Sequence, residues 1–132
     1  MPFIEVKTTE DLSAVAAELK SALGDAITAI PGKSESWLMV NLVGEQKMYF
    51  QGSDAPCALF SVSIFGTATD DAYDDLTCRL CAIAQQYLQV PPARTYVRYR
   101  EVDHWGYNNL ISEHEALRAT AALVRIIVLN LL

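Results

Sequence analysis

The apolar residues of this chain follow two spacings in turn, and the order of those spacings repeats. Residues 2–7 alternate weakly between apolar and polar side chains, which predicts a short strand. Residues 12–30 carry apolar side chains at helical spacing, and Pro31-Gly32 ends the predicted helix. An apolar run over residues 37–43 indicates a buried strand, and residues 47–50 indicate a short edge strand.

The second half of the chain repeats this order. We predict a strand over residues 57–65, a helix over residues 70–88 and a strand over residues 95–102. Several aspartates lie near the start of this second helix, where the helix dipole favours negative charge. At the first helix, we expect Thr8 and Asp11 to cap the N-terminus through their side chains.

The repeated order predicts an α/β protein (α+β in some schemes) built from two β-α-β units. Each unit is expected to hold its two strands parallel through a right-handed crossover. The four strands then form one mixed sheet with both helices on one face. Because the predicted strands look apolar on both sides, we expect further copies of the chain to cover the other face.

The C-terminal segment differs, so we divide the chain into a domain over residues 1–110 and a helical extension over residues 111–132. Apolar residues recur at helical spacing from Ser112 to Leu132, but Arg118 and Arg125 interrupt them. The segment is too short and too charged for a transmembrane helix, and no membrane span is predicted. We interpret it as a docking helix, with binding at a membrane surface as the alternative.

Composition narrows the class of protein. A chain of 132 residues fits one domain, and its formal charge of −6 argues against nonspecific nucleic-acid binding, which requires lysine and arginine. Three cysteines cannot all pair within the chain, so reduced thiols are expected. The N-terminus lacks the basic segment and apolar core of a secretory signal, and a cytoplasmic protein is therefore the default expectation.

Pro2 is the residue with the clearest potential for chemistry. If Met1 is removed, Pro2 becomes an N-terminal secondary amine that can serve as a nucleophile or a general base. A free α-amino group has a pKa of roughly 7.7–8.0, and a general base works best when its pKa lies near the working pH. The alternative role is structural, because proline is tolerated as the first residue of a strand. The position alone does not decide between the two roles.

Other candidate sites carry weaker signals. Cys78 and Cys81 have the spacing of a redox pair, but they fall inside the predicted second helix, so buried small side chains are the better interpretation. His104 and His114 are too few and too far apart for a zinc site, and no metal is predicted. The sequence has no glycine-rich nucleotide motif or nucleophile elbow, and no cofactor is required.

Several short segments occur in an order that resembles a known family. They are Pro2, the PGK that contains Lys33, the stretch GSDAPCALFSVSIFG that contains Phe65, the strand with Tyr96 and Arg98, and the GYNN that contains Tyr107. Together they resemble the macrophage migration inhibitory factor family of the tautomerase superfamily, and Arg98 resembles its D-dopachrome tautomerase branch. The resemblance implies a homotrimer whose sheets surround a central channel, with active sites between neighbouring subunits.

The resemblance also implies roles for individual residues. Pro2 is the catalytic base, and Lys33 both orients a substrate carboxylate and lowers the pKa of the proline. Phe65 holds the substrate through its main chain, while Tyr96 and Arg98 form a wall contributed by the neighbouring subunit. The other implied pocket residues are Trp37, Trp105 and Tyr107, for which ordinary packing is the alternative.

These roles predict a cofactor-independent keto–enol tautomerase that acts on small aromatic keto acids such as phenylpyruvate, or on dopachrome-like compounds. The alternative is a cytokine-like protein that keeps the fold but works by binding a protein receptor. Release from the cell by a non-classical route belongs to that alternative. Turnover of phenylpyruvate discriminates between the two hypotheses.

Overall fold

A four-stranded sheet backed by two helices forms the body of the protein in the computed structural model, which describes residues 1–112 and 127–131. In chain order the elements are β1 (Pro2–Thr8), α1 (Ala16–Ala26), β2 (Met39–Val43), β3 (Ala58–Phe65), α2 (Asp70–Leu88), β4 (Thr95–Val102), β5 (Trp105–Tyr107) and β6 (Leu110–Ser112). Short 3₁₀ turns follow α1 and precede β2 and β4.

The spatial order of the strands, β2-β1-β3-β4, confirms the predicted mixed sheet. β1 pairs with β2 in parallel and β3 pairs with β4 in parallel, whereas β1 and β3 run antiparallel at the centre. One helix connects the strands of each parallel pair, so both predicted β-α-β units are present. The predicted bounds of the second helix and of the last strand coincide with those of α2 and β4.

The hydrophobic core lies between the sheet and the two helices. Alternate residues of β1 and β3, among them Val6 and Phe60, are fully buried on this side. Leu23 of α1 and Leu80 of α2 join them in one cluster. Because buried side chains are closely packed, this layer holds the strands firmly, and the ends of those strands carry the candidate site.

The opposite face of the sheet mixes polar residues with apolar ones such as Phe3 and Met39, so the prediction that the strands are apolar on both sides is only partly right. Glu5 accepts a hydrogen bond from the Asn41 amide at 3.1 Å and pairs with the Lys7 ammonium at 3.4 Å, while Arg98 donates to the Ser61 hydroxyl at 3.0 Å. Only the pairing register shows that these polar residues share one face. Association of chains therefore cannot be inferred from an uncovered apolar face.

α1 begins later than predicted, and neither Thr8 nor Asp11 caps it. Thr8 ends β1, where its hydroxyl donates to the Cys57 carbonyl at 2.8 Å. Asp11 forms a local turn, because its carboxylate accepts hydrogen bonds from the Ser13 hydroxyl at 2.6 Å and the Ser13 amide at 2.8 Å. These bonds lower the pKa of the Asp11 carboxyl group. Such side-chain turns compete with helix capping for the same residue types.

The second strand is shorter and more exposed than the buried run predicted over residues 37–43. Trp37 ends a 3₁₀ turn (Glu35–Trp37), and β2 begins at Met39, whose side chain is 68% exposed. β2 lies at the edge of the sheet with β1 as its neighbour. An apolar run does not distinguish a buried strand from an edge strand whose outer side is open.

A loop stands where a short edge strand was predicted over residues 47–50, and Arg94 holds it. The loop has one isolated bridge, between Phe50 and Ser53. The Arg94 guanidinium donates four hydrogen bonds of 2.9–3.2 Å to main-chain carbonyls of this loop. The carbonyls belong to Phe50, Ser53, Ala55 and Pro56. The guanidinium thus satisfies backbone acceptors that a strand would have paired with a neighbour.

β5 and β6 form a small hairpin that the sequence analysis did not predict. Asn108 and Asn109 turn it with φ angles of 51° and 64°, which asparagine tolerates better than most residues. β6 crosses the boundary predicted between residues 110 and 111, and the domain division stays a prediction. Most of the predicted C-terminal helix lies outside the described residues, whereas residues 127–131 are helical and exposed.

We expect Gly44→Ala to lower the free energy of unfolding by about 1–3 kcal/mol, through overpacking. A Cβ at position 44 would lie 2.7 Å from the Glu10 carbonyl oxygen and 3.1 Å from Cγ of Leu12. That carbonyl already accepts the Glu45 amide at 2.9 Å, so it cannot move freely. Gly106→Ala is the matched control, because a methyl group added there would meet no described atom within 4 Å beyond its chain neighbours. Urea unfolding that shows equal stability for both variants would contradict this account.

Candidate functional site

A cavity of about 910 Å³ opens where β1 begins. Its wall comes from the first residues of the chain, the segment that leads into β2, and the end of β4 with β5. Apolar and aromatic side chains dominate it, including Pro2, Phe3, Trp37, Met39, Trp105 and Tyr107. A concave, mainly apolar site of this size suits a small molecule that carries a ring.

Main-chain contacts hold Pro2 in the wall of this cavity. Pro2 is buried and pairs with Ile64 of β3, and the carbonyl of Met1 before it accepts a hydrogen bond from the Phe65 amide at 3.1 Å. Proline can occupy the first position of a strand because no amide donor is needed there. The nitrogen of Pro2 is therefore fixed at one end of a rigid sheet.

Lys33 lies beside the same stretch of main chain. Its ammonium donates to the Phe65 carbonyl at 2.9 Å, and the residue is partly buried. Gly32, with a φ of 81°, turns the chain after α1 and so directs Lys33 back toward β3. Because an ammonium group has three donors, this bond leaves two of them for water or a ligand. The structure thus places Lys33 and Phe65 next to the strand pair that holds Pro2, although neither is among the described residues that line the cavity.

The three aromatic residues that the resemblance placed at the pocket all line the cavity. The rings of Trp37 and Tyr107 meet edge to face, with centroids 5.3 Å apart. Trp37 is 53% exposed and Tyr107 is 47% exposed, so neither belongs to the core. Trp105 begins β5 and reaches the same wall. Their placement favours a ligand-binding role over ordinary packing.

Tyr96 and Arg98 do not line the cavity of their own chain. Tyr96 is 63% exposed and packs edge to face against Phe50, with centroids 5.0 Å apart. Arg98 is exposed on the open face of β4, an edge strand. Within one chain, these two residues are therefore separate from the group formed by Pro2, Lys33 and Phe65.

Arg100 lines the cavity, although the sequence analysis did not single it out. Side chains alternate along a strand, so Arg100 shares the open face of β4 with Tyr96 and Arg98. The alternation of side chains along β4 was the sequence signal that could have identified Arg100. Phe3 and Met39 were also missed, since they reach the same region only through the register that joins them to β3 and β4.

Two tyrosines on the helix side of the sheet have raised pKa values, but neither lines this cavity. Burial, followed by the hydrogen bond that Tyr73 donates to Glu101 at 2.6 Å, raises the pKa of Tyr73. Burial is also the main cause of the raised pKa of Tyr99, whose hydroxyl lies 2.7 Å from the Thr77 hydroxyl. Both tyrosines stay protonated at neutral pH and serve as structural hydrogen-bonding groups.

The cysteines of α2 are free; Cys78 is exposed and Cys81 is only half-buried, so the prediction that both are buried is wrong. Burial raises the pKa of the Cys81 thiol, which disfavours the reactive thiolate. Within residues 1–112 and 127–131, no group of three or more histidine, cysteine, aspartate or glutamate side chains is arranged to hold a metal. Among those same residues, no helix has both the length and the apolar character needed to cross a bilayer.

Comparison with known proteins points to one family. The family model for macrophage migration inhibitory factor matches residues 1–110. The macrophage migration inhibitory factor of Meriones unguiculatus is 33% identical over 106 residues, which cover 78% of this chain and 90% of that protein. The protein of the same name from Mus musculus is 27% identical over 103 residues, with the same coverage of both chains.

Solved structures share the fold. The crystal structure of Leishmania major MIF2 matches with a TM-score of 0.78 and 28% identity, and the match covers 84% of this chain and 97% of that one. The homologue from Prochlorococcus marinus matches with a TM-score of 0.77 and 23% identity over 83% of this chain and 98% of its own. The mixed sheet and its two helices are therefore the architecture of these proteins.

Proposed function

Because the chain belongs to the macrophage migration inhibitory factor family, we propose that it is a cofactor-independent keto–enol tautomerase with Pro2 as its general base. The observation that carries the proposal is the position of Pro2 in the wall of an apolar, aromatic cavity, where it pairs with Ile64, the residue before the Phe65 that Lys33 binds. A small aromatic keto acid such as phenylpyruvate, or a dopachrome-like compound, fits the chemistry of this wall.

The proposed reaction moves one proton from carbon to oxygen. The amine of Pro2 takes a proton from the carbon beside the keto group, and the electron pair of that C–H bond forms the carbon–carbon double bond of the enol. The carbonyl π electrons move to oxygen, which then receives a proton. The protonated amine returns its proton, so the base is regenerated without a cofactor. The step requires Pro2 to be the first residue, because an amide nitrogen is not basic.

Lys33 supports this role through its charge. Its ammonium is held by the carbonyl of Phe65, which follows Ile64, the residue of β3 that pairs with Pro2. A cation in this position disfavours protonation of the amine and keeps it free to accept a proton at neutral pH. Its remaining donors are available to a substrate oxygen.

We expect Lys33→Met to move the acid limb of the profile of kcat/KM against pH toward higher pH. Removal of the cation makes protonation of the Pro2 amine easier, so a higher pH is needed to free the base. Lys20→Met is the matched control, because Lys20 is exposed on α1 and pairs with Glu35 at 3.6 Å. An unchanged profile in Lys33→Met, or an equal displacement in both variants, would argue against this role.

We also propose a homotrimer in which Tyr96 and Arg98 of one subunit complete the cavity of the next. In support, both residues are exposed on an edge strand and neither lines the cavity of its own chain. Side chains placed in this way are available to a neighbouring copy. Light scattering tests the proposal, since a mass other than three chains contradicts it.

The function is tested by phenylpyruvate turnover with protein whose intact mass shows that it begins at Pro2. We expect formation of the enol without any added metal or cofactor. The absence of turnover in this protein, with p-hydroxyphenylpyruvate and a dopachrome ester as further substrates, would contradict the enzyme assignment.

A cytokine-like role is the second candidate, and the names of the related proteins favour it. In that case the protein binds a receptor through its surface, and release from the cytoplasm by a non-classical route brings it to that receptor. A Pro2→Gly variant separates the two functions. Receptor binding that is unchanged while turnover falls supports signalling, whereas a biological response that falls in step with turnover supports the enzyme.

A further inference from the structure

Arg100 is the one charged side chain among the described residues that line the 910 Å³ cavity. The other wall residues are apolar or aromatic, apart from the hydroxyl groups of Ser36, Ser63 and Tyr107. Arg100 pairs with Ser63 of β3, which in turn pairs with Phe3 of β1. Arg100 and Phe3, the residue that follows Pro2, therefore lie on the same face of the sheet, and only β3 separates them.

The guanidinium of Arg100 has no hydrogen-bond or ion-pair partner within the described part of the chain. The neighbouring cations are already engaged, since Lys33 donates to the Phe65 carbonyl and Arg98 donates to the Ser61 hydroxyl. A guanidinium carries five donors in a planar fork that matches the two oxygens of a carboxylate. Arg100 thus offers the cavity an unused site for an anion.

The side chains around Arg100 decide which cavity a small aromatic anion would enter. Arg100 also borders a second cavity of about 460 Å³ on the open face of the sheet, which Arg98 and the Glu5 carboxylate line as well. The Arg98 guanidinium already donates to the Ser61 hydroxyl. A like charge disfavours a bound carboxylate. The cavity with Pro2 contains no acidic side chain among its described lining residues. Of these two cavities, the one on the Pro2 side combines an aromatic wall with the guanidinium of Arg100 and no carboxylate among its described lining residues.

We propose that Arg100 binds the carboxylate of a small aromatic acid in the cavity that Pro2 lines, and so selects acids over their neutral analogues. The aromatic wall receives the ring of the ligand, and the guanidinium receives its carboxylate as a bidentate pair. The role in substrate selection rests on the proposed function, whereas the binding itself does not. In this arrangement Lys33 chiefly disfavours protonation of the Pro2 amine, whereas Arg100 chiefly binds the carboxylate of the substrate.

The experiment measures binding of 3-phenylpropionate and of the neutral 3-phenylpropanamide to the full chain. The chain has two tryptophans, Trp37 and Trp105, and both line the cavity, so quenching of their fluorescence reports occupancy directly. We expect Arg100→Gln to weaken binding of the acid by roughly 10-fold or more and to leave binding of the amide within about 2-fold, as for loss of a charged hydrogen-bonded pair. Arg100→Lys keeps the charge but loses the fork, and intermediate affinity is expected.

Matched controls separate this site from a general effect of charge. Arg79→Gln removes an exposed arginine of α2 that pairs with Asp75, and it should bind both ligands like the wild type. Unchanged amide binding shows that the cavity of Arg100→Gln is intact. Equal affinity of the wild type for acid and amide overturns the proposal. So does a loss of acid binding in Arg98→Gln or Lys33→Gln while Arg100→Gln binds normally.

Turnover is measured separately in the same variants. If phenylpyruvate is converted, Arg100→Gln is expected to raise KM about 10-fold with a smaller change in kcat. If the wild type binds the acid through Arg100 but converts nothing, the proposed function fails and the binding site stands. If conversion occurs and Arg100→Gln leaves KM unchanged, the enzyme assignment stands and the role of Arg100 in selection is overturned.

Discussion

Protein that begins at Pro2 is expected to convert phenylpyruvate at least about 100-fold faster than the same chain with Met1 still attached. In the longer form, the nitrogen of Pro2 belongs to an amide and has no basic lone pair. Met1 also lines the cavity, so its side chain occupies space that the substrate needs. Both effects act in the same direction, and the removal of one residue relieves both.

The comparison needs a variant that changes the base without adding an atom. Pro2→Gly with Met1 removed keeps an α-amine at the same position but loses the ring that fixes the backbone, and intermediate turnover is expected. Intact mass establishes each N-terminus, and thermal unfolding establishes that all three proteins are folded. Equal turnover in the three proteins would show that the amine of Pro2 is not the base.

Phe60→Ala is expected to lower the free energy of unfolding by about 3–5 kcal/mol, the typical cost of emptying a buried aromatic site. Phe60 is fully buried near the middle of β3, where it pairs with Val6 of β1 and Val97 of β4. Its ring therefore fills the core at the point where the two β-α-β units join. A cavity there cannot be closed by movement of one strand alone.

Tyr49→Ala is the matched control for loss of an aromatic side chain. Tyr49 is 74% exposed, and we expect its removal to change stability by less than about 0.5 kcal/mol. Urea unfolding should be followed at several protein concentrations, because dissociation of an assembly would make the midpoint depend on concentration. A loss below about 1 kcal/mol for Phe60→Ala would mean that the core relaxes around the cavity.

The elements that could be predicted from the sequence are those that pack most of their apolar side chains against one surface of the core. α2 packs its apolar stripe on the sheet, and Thr69 caps its first turn by accepting the Ala72 amide at 3.2 Å. The helix therefore has the bounds that the spacing of its apolar residues predicts. β4 was predicted with equal accuracy. β2 was not, because at the edge of the sheet an apolar residue such as Met39 can be exposed.

Only part of the candidate site could be predicted from the sequence, and the reason differs from that for β2. The resemblance named Pro2, Lys33 and Phe65, and they become neighbours through the pairing of Pro2 with Ile64 and the hydrogen bond from the Lys33 ammonium to the Phe65 carbonyl. Arg100 was missed because its relevance depends on which face of β4 lies on the same side of the sheet as Phe3, with β3 between the two strands. That information lies in the register between strands, which is set by contacts distant in sequence.

The hydrogen bonds of Arg94 have a consequence for how this chain can vary. Arg94 fixes the loop over residues 50–56 by hydrogen bonds to main-chain carbonyl oxygens, which every residue type possesses. Most substitutions in the loop leave those acceptors in place, so the backbone conformation of the loop depends little on its side chains. The surface beside Tyr96 can therefore diversify under selection while the scaffold beneath it stays unchanged, provided that position 94 keeps its arginine.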